Sequence, residues 1–272
     1  NIMYISLNGK LIKNDELLIS PKGEGFNYGY GLFETLKIVD GNICFMEEHF
    51  NRLKKSCAEL NLKFEYDLCI IQEYANNLAS SCGMSSGSIK ILYAKDKDKY
   101  NLLMTTNENK YTLEKYKKGF SICIASSKRN PYSKLTYIKS NNYLENILEK
   151  TIANKKGYDE TVFLNTNDNI SEGSYTNVFF IKDNIIYTPS ISCGILPGIM
   201  RDKVIDLINK LSIKIEIGKF KIDDMFKADE IFITNSLMEI MPVWKLENKK
   251  FNLTNNIITK LLMKEFYRLY YK

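Results

Sequence analysis

The stretch YIKSNNYLENILEK, residues 137–150, decides how this chain is interpreted. Residues 136–138 resemble the end of a strand, and the apolar spacing from Asn142 onward predicts a helix. Lys139 stands at the junction, where packing does not require a long charged side chain. A lysine amine is a nucleophile only without its proton, and partial burial favours that neutral form. Lys139 is therefore a candidate catalytic residue, although most lysines are simply surface charges.

A carboxylate further along the chain is a candidate partner for Lys139. Glu172 lies in ISEGSYTNVFF, where we expect a tight turn directly before a buried strand. A carboxylate at the start of a buried strand needs a cationic or N–H partner. The alternative is a local cap, in which Glu172 accepts hydrogen bonds from its own backbone.

Two further stretches have the composition of a phosphate site. In CGILPGIMRDKV, Gly198 precedes a predicted helix, which would place the N–H groups of Ile199 and Met200 at a helix N-terminus. In FITNSLMEIMPV, a strand runs into three small polar residues, 234–236, whose hydroxyls suit phosphate oxygens. The alternative is that the first stretch is an ordinary helix start and the second a plain turn.

Arg52, within EEHFNRLKKS, is one of only four arginines and lies in the middle of a predicted helix. A guanidinium binds phosphate through two parallel hydrogen bonds, whereas the structural alternative is a surface ion pair with Glu48 at i−4. The candidates together form the set that pyridoxal 5′-phosphate requires: a reactive lysine, an anion for the ring nitrogen, and a basic, amide-rich phosphate site.

The composition excludes several other classes of protein. The 272 residues carry a formal charge of +6, but the lysines are scattered among acidic residues, so we expect no nucleic-acid partner. Six dispersed cysteines without a CxxC pair, and a single histidine, predict neither a disulfide framework nor a metal site. No apolar run reaches the roughly 18 residues of a membrane span. With no signal peptide visible in the first ten residues, we expect a cytoplasmic protein without a membrane partner.

The order of predicted elements indicates an α+β protein of two domains. Residues 1–118 combine hairpins around Asn8-Gly9 and Asp40-Gly41 with two helices, and residues 119–272 alternate strands and helices. Residues 128–134, KRNPYSK, form a linker-like loop near the start of the second domain. Small ligands commonly bind in clefts between such domains.

The chain resembles the class IV, or fold type IV, pyridoxal-phosphate enzymes along nearly its whole length. That family comprises branched-chain aminotransferases, D-amino acid aminotransferases and 4-amino-4-deoxychorismate lyase. The motifs that carry the resemblance occur in the expected order and are GFNYGYGLFETLKI, HFNRL, IKSNNYLENILEK, DETVFLNTNDNISEGSYTNVFFIKDN, TPSISCGILPGIMR and ITNSLMEIMPV.

The resemblance implies a role for each candidate residue. Lys139 corresponds to the Schiff-base lysine and Glu172 to the partner of the pyridine nitrogen. The groups implied around the phosphate are Arg52, the amides of Ile199 and Met200, and Ser236, and Tyr143 corresponds to an aromatic residue close to the cofactor. The implied fold is a two-domain α+β enzyme with the cofactor between the domains, and the implied assembly is a homodimer.

Within the family, TNSLM followed by PV, together with SCGILPG, resembles the lyase, because aminotransferases tend to have small residues at Leu237 and Met238. Thr35 matches a threonine that lyases place beside the catalytic lysine. We therefore expect a folate-biosynthesis lyase that converts aminodeoxychorismate to 4-aminobenzoate and pyruvate. The alternative is a class IV aminotransferase acting on branched-chain or D-amino acids.

The chain departs from the family pattern at two places that concern the substrate. The common YGDG reads YGYG, with Tyr30 replacing the acid, and YAKDKDKYN lacks an arginine that often binds a substrate carboxylate. Lys97 or Lys99 could substitute for that arginine as a point charge. Asn235 and Leu237 complete the set of candidate substrate residues.

Overall fold

The computed structural model describes residues 4–16 and 19–271, which form two compact units. The N-terminal unit consists of Asn1–Lys110 and Ile138–Asn142, and the C-terminal unit of Tyr111–Tyr137 and Tyr143–Lys272. The division differs from the predicted boundary at 118/119 because residues 113–118 pack with the second unit and residues 138–142 pair with a strand of the first.

The N-terminal unit is a sheet with its two longer helices packed on one face. Its strands are β1 (Tyr4–Leu7), β2 (Lys10–Lys13), β3 (Gly31–Val39), β4 (Asn42–Ile43), β5 (Gly87–Asp96) and β6 (Lys99–Glu108). Its helices are α1 (Glu24–Tyr28), α2 (Met46–Glu59) and α3 (Leu68–Ser81), and Asn14–Glu16 forms a 3₁₀ turn. The strand order is β2-β1-β6-β5-β3-β4, with every neighbouring pair antiparallel.

Alternation along β3 decides which side chains enter the core of this unit. Leu36 and Ile38 are fully buried and pack with Ile89, and they meet the apolar faces of α2 and α3. Because successive strand residues point to opposite faces, Phe33 and Thr35 belong to the other face of the sheet. The predicted hairpins are confirmed, since both turns have the positive φ angles that Asn-Gly and Asp-Gly readily adopt.

The C-terminal unit contains a mixed nine-stranded sheet. Its strands are β7 (Phe120–Arg129), β8 (Glu160–Asn165), β9 (Ile170–Gly173), β10 (Asn177–Lys182), β11 (Ile185–Pro189), β12 (Ile215–Gly218), β13 (Glu230–Asn235), β14 (Glu239–Leu246) and β15 (Lys249–Lys250). Its helices are α4 (Leu113–Lys118), α5 (Leu144–Lys155), α6 (Ile199–Lys210), α7 (Ile222–Phe226) and α8 (Ile257–Tyr270). Short 3₁₀ helices occupy Lys134–Tyr137, Ile191–Cys193 and Leu253–Asn255.

The central strands of this sheet are apolar on both faces, as expected for strands that are covered on both sides. The order is β12-β11-β10-β13-β14-β7-β8-β9, and β7 runs parallel to both of its neighbours. Val178, Ile231 and Met241 belong to one buried cluster, and Phe179 stacks on Phe232 with ring centroids 4.8 Å apart.

Three local predictions are wrong. Residues 136–138 do not end a strand, because Lys134–Tyr137 is a 3₁₀ helix. The loop predicted at 128–134 begins later, since β7 continues to Arg129. Glu172 lies within the short buried strand β9 rather than in a turn.

No helix in the described part of the chain is long and apolar enough to cross a membrane.

Candidate active site

Lys139 is held by backbone pairing with the first residues of β3. The Phe33 N–H donates to the Lys139 carbonyl at 3.0 Å, and the Asn141 N–H donates to the Gly31 carbonyl at 2.9 Å. A Cβ on Gly31 would lie 2.6 Å from the side-chain nitrogen of Asn141 and 2.7 Å from the backbone carbonyl oxygen of Tyr93, so the close approach requires glycine. The half-buried Lys139 places its Nζ 4.3 Å from the centroid of the Phe33 ring.

Lys90 is a second lysine at the same ring, and sequence reasoning missed it. Its Nζ lies 4.7 Å from the Phe33 centroid. The β3–β5 register pairs Lys90 directly with Thr35, so both side chains belong to the sheet face that carries Phe33. Burial lowers the pKa of the Lys90 ammonium. The signal in the sequence was a lysine inside the strand pattern SIKILYA, but only the strand register relates it to Thr35.

Glu34, on the core face of β3, brings Arg52 and His49 together. Arg52 donates from Nε to Oε1 at 2.7 Å and from Nη2 to Oε2 at 2.6 Å, and His49 Nδ1 lies 2.6 Å from Oε2. Burial alone would raise the pKa of Glu34, but the Arg52 charge and the hydrogen bonds from His49 and Arg52 outweigh it and lower the pKa to about 2. The alternative considered from the sequence, an ion pair of Arg52 with Glu48, is thus not needed to explain the position of this arginine.

His49, the single histidine, lies on α2 and is buried at this cluster. Burial is the main cause that lowers its pKa, and the positive charges of Arg52 and Lys139 lower it further against the effect of Glu34. The imidazole is therefore neutral near pH 7 and donates its Nδ1–H to the carboxylate. The charges of Lys139 and Arg52 both lower the pKa of His49, so these two predicted residues lie close to the same buried histidine.

In the C-terminal unit, Glu172 is almost fully buried and has two kinds of partner. The Leu196 N–H donates to its Oε2 at 2.8 Å, and Arg129 Nε lies 3.4 Å from its Oε1. Arg129 is 6% exposed, and its guanidinium carbon lies 3.8 Å from the Phe163 ring centroid. Sequence reasoning missed Arg129 because KRNPYSK looks like a polar loop. The rarity of arginine, with only four in the chain, was a possible signal for a functional role.

Arg129 also links Glu172 to the predicted aromatic residue Tyr143. Its Nη1 donates to Glu145 at 2.9 Å and to the Asn146 side-chain oxygen at 3.2 Å. Asn146 and the Tyr143 hydroxyl both donate to the Ser174 carbonyl, at 2.7 and 2.9 Å. Burial, with the nearby Glu172 charge, raises the pKa of Tyr143, so its hydroxyl stays protonated and can donate this bond.

The predicted phosphate residues of this unit lie at a helix start and at a strand end. Gly198 is the N-cap of α6, no N-cap side chain accepts from its first amides, and Ile199 and Met200 are buried. Ser236 follows the end of β13 and is half-buried. Thr234, two residues earlier, has a buried hydroxyl without a hydrogen-bond partner among residues 4–16 and 19–271.

The candidate substrate residues have varied surroundings. The Tyr30 hydroxyl donates to the Leu60 carbonyl at 2.6 Å, and the ring packs against the core of its unit. Lys97 and Lys99 are exposed at the β5–β6 turn, where Lys97 has a φ of 56°.

The turn after β13 is built around Asn235, whose side-chain oxygen accepts from the amides of Leu237 and Met238 at 3.0 and 2.8 Å. Leu237 itself is half-buried. Asn235 therefore shapes the backbone that follows the strand.

Comparison with known proteins agrees with this architecture. The family described as amino-transferase class IV matches residues 31–246. Aminodeoxychorismate lyase of Bacillus subtilis is 27% identical over 95% of this chain and 92% of its own length. D-alanine aminotransferase of Bacillus licheniformis is 26% identical over 95% of this chain and 96% of its own. The crystal structure of Escherichia coli branched-chain amino acid aminotransferase superimposes with a TM-score of 0.93, at 23% identity, covering 99% of this chain and 95% of that one.

The chain belongs to the class IV aminotransferase family, because the match spans more than half of its residues. The predicted family and the predicted α+β fold of fold type IV are confirmed, and so is the prediction of an enzyme. Enzymes of this family use pyridoxal 5′-phosphate. Each unit carries donors that suit this cofactor. The N-terminal unit has a half-buried lysine and an arginine. The C-terminal unit has a buried carboxylate, a helix N-terminus whose N-cap is a glycine, and a buried Thr234 hydroxyl that has no hydrogen-bond partner among the described residues.

Proposed function

We propose that this protein is a cytoplasmic, pyridoxal-phosphate-dependent lyase that converts 4-amino-4-deoxychorismate to 4-aminobenzoate and pyruvate. The observation that carries the proposal is the pairing of Thr35 with Lys90 on the sheet face of Phe33, whose ring also contacts Lys139. A hydroxyl and an ammonium group beside the reactive amine suit a substrate that bears two carboxylates. The similarity to the Bacillus subtilis lyase over 95% of the chain supports the same choice.

The cofactor would be held by the residues that the family motifs indicate. We assign Lys139 as the lysine that bonds to the cofactor aldehyde, and Glu172 as the partner of its ring nitrogen. Arg52, the Ile199 and Met200 amides, and Ser236 would bind the phosphate. Tyr143 would contact the cofactor through its ring, because its hydroxyl already donates to the Ser174 carbonyl. When bound, the cofactor supplies an aldehyde that bonds to amines and a ring that accepts an electron pair.

Lys139 performs the proton transfers in this scheme. Its neutral Nζ takes the proton from the substrate carbon that bears the amine, the bond from the ring to the enolpyruvyl oxygen breaks, and the six-membered ring becomes aromatic. The same Nζ returns the proton to the methylene carbon of the departing group, which leaves as pyruvate. Thr35 orients the Lys139 amine, and Lys90 binds a substrate carboxylate. The first transfer needs Lys139 as a neutral amine at this half-buried position beside the Phe33 ring.

A class IV aminotransferase is the second candidate. The likeness of the whole chain to D-alanine aminotransferase, at 26% identity, favours it. Both reactions begin with the same proton transfer by Lys139, so the cofactor residues do not separate them. The substrate residues do, and Lys97 and Lys99 remain alternatives to Lys90 for the carboxylate.

The test is a direct comparison of the two reactions. The purified protein should absorb visible light from a lysine-bound cofactor, and borohydride reduction followed by peptide mapping should locate the cofactor on Lys139. Incubation with aminodeoxychorismate should release 4-aminobenzoate and pyruvate in equal amounts. Glutamate formation from D-alanine or leucine with 2-oxoglutarate, without 4-aminobenzoate, would instead establish the aminotransferase. A Lys139→Ala variant is the control for both assays.

A homodimer is part of the proposal. On α5, Leu144, Ile147, Leu148 and Ile152 leave an exposed apolar stripe on the C-terminal unit. Apolar surfaces of this kind are commonly covered by another subunit, which supports the predicted assembly. Sedimentation of the wild type and of an Ile147→Lys variant would test it, with the variant expected to shift toward the monomer.

A further inference from the structure

Glu34 is a buried anion that the proposed reaction does not use. Its side chain is 2% exposed, and its two oxygens accept the three hydrogen bonds from Arg52 and His49. A carboxylate directly behind an arginine opposes, by its charge alone, the binding of a phosphate to that arginine. The position of Glu34 therefore needs an explanation other than charge attraction.

The hydrogen bonds of Arg52 suggest the explanation. Glu34 engages Nε and Nη2, which form one side edge of the planar guanidinium. Because the guanidinium is rigid, fixing this edge also fixes the direction of the terminal edge formed by Nη1 and Nη2. The terminal edge also presents two parallel N–H groups, which match two oxygens of a phosphate.

We propose that Glu34 is a positioning residue for the cofactor phosphate: it holds the Arg52 guanidinium in the orientation that the phosphate meets. His49 supports the same arrangement by donating to Glu34 Oε2. An unheld arginine side chain would have to be immobilised when the phosphate binds, whereas here the immobilisation is complete beforehand. The inference rests on the assignment of Arg52 under the proposed function.

The ratio of two binding constants isolates this effect. The cofactor-free 272-residue chain is titrated with pyridoxal 5′-phosphate and with pyridoxal, which lacks only the phosphate, and the quenching of protein fluorescence is followed. The affinity for pyridoxal 5′-phosphate divided by the affinity for pyridoxal measures the contribution of the phosphate group. An inactive fraction of protein affects both titrations alike. Glu34→Gln should lower this ratio roughly tenfold, because one side of the held edge loses its acceptor. If Glu34 acted through its charge alone, the variant would raise the ratio.

A matched control removes a different carboxylate from the same unit. Glu24 is hydrogen-bonded to Lys95 and to the Lys97 amide, and its pKa is also lowered to about 2. Glu24→Gln should leave the affinity ratio unchanged within about twofold, because Glu24 does not contact Arg52. A similar decrease in both variants would overturn the positioning role.

Two more variants separate the inference from the proposed function. Arg52→Met should lower the ratio strongly, and Glu34→Gln should have no further effect in that background. An unchanged ratio in Arg52→Met would refute the assignment of Arg52, whereas an effect of Arg52→Met without one of Glu34→Gln would refute only the inference. If Glu34→Gln does not fold, His49→Leu replaces it, with an expected decrease of roughly threefold, and an unchanged ratio there also counts against the inference.

Discussion

Arg129 Nε lies 3.4 Å from Glu172 Oε1, and both side chains are almost fully buried in the C-terminal unit. An ionised carboxylate at this depth is costly unless a cation or several donors accompany it. The Leu196 N–H supplies one hydrogen bond, and the Arg129 guanidinium supplies the charge. Arg129 therefore stabilises ionised Glu172, the carboxylate that the proposed function assigns to the cofactor ring nitrogen.

Arg129→Met should expose the dependence of Glu172 on this partner. The variant leaves a buried carboxylate without its cation, which should lower the free energy of unfolding at pH 7 by roughly 3–5 kcal/mol. Urea denaturation followed by circular dichroism measures the loss. Arg129→Lys, which keeps the charge, should recover part of the stability and of the visible absorbance of the bound cofactor.

The control for this prediction is Glu145→Gln. Glu145 is the half-exposed partner of Arg129 Nη1, so its loss should change stability by no more than about 0.5 kcal/mol. In the double variant Arg129→Met, Glu172→Gln, the destabilisation should be smaller than the sum of the single effects. Additive effects would mean that the two residues do not form a functional pair.

Lys90→Met should weaken substrate binding more than it slows the chemistry. Loss of a charge-assisted hydrogen bond to a substrate carboxylate predicts a KM increase of roughly tenfold to a hundredfold. Because burial lowers the pKa of Lys90, the cation is lost as pH rises, so the wild-type KM should increase at a lower pH than expected for an exposed lysine. Steady-state kinetics between pH 7 and 10 provides both measurements.

Lys97→Met and Lys99→Met are the matched comparisons, because these lysines are exposed at the β5–β6 turn. If either variant raises KM more than Lys90→Met does, the carboxylate site is at the turn and the assignment of Lys90 is wrong.

Tyr30→Phe should affect stability and leave turnover nearly unchanged. The Tyr30 hydroxyl donates to the Leu60 carbonyl at 2.6 Å, and its removal should cost about 1 kcal/mol of unfolding free energy. Thermal denaturation and kcat/KM are measured on the same preparation. A tenfold fall in kcat/KM with unchanged stability would show that Tyr30 acts on the substrate.

Glu34 should make the protein sensitive to acid. Its folded-state pKa of about 2 lies below its ordinary value of 4.5, so ionised Glu34 contributes stability above about pH 4.5 and loses it as pH falls toward 2. The contribution corresponds to roughly 3 kcal/mol. Between pH 5 and pH 2.5, the unfolding free energy of the wild type should fall more steeply than that of Glu34→Gln. Parallel pH profiles would contradict this prediction.

Local sequence patterns predicted the regular elements well where one face of the element is continuously apolar. The helix predicted after Gly198 is α6, at Ile199–Lys210, and the helix predicted from Asn142 onward is α5, at Leu144–Lys155. The errors fall where tertiary contacts override local composition. Residues 128–134 look like a polar loop, yet Arg129 belongs to a strand and is buried because Glu172 and Phe163 lie beside it.

The sequence by itself determined the family, the cofactor class and the candidates Lys139, Glu172 and Arg52, because ordered motifs carry that information locally. Only the tertiary structure decided which groups surround these candidates. Arg129 lies beside Glu172, and Glu34 and His49 lie beside Arg52. The register of β3 and β5 also pairs Lys90 with Thr35. These neighbours are far apart along the chain and meet through strand register and helix packing. The energy of a buried charge depends on such neighbours, so the electrostatics of the site belongs to the fold rather than to any single motif.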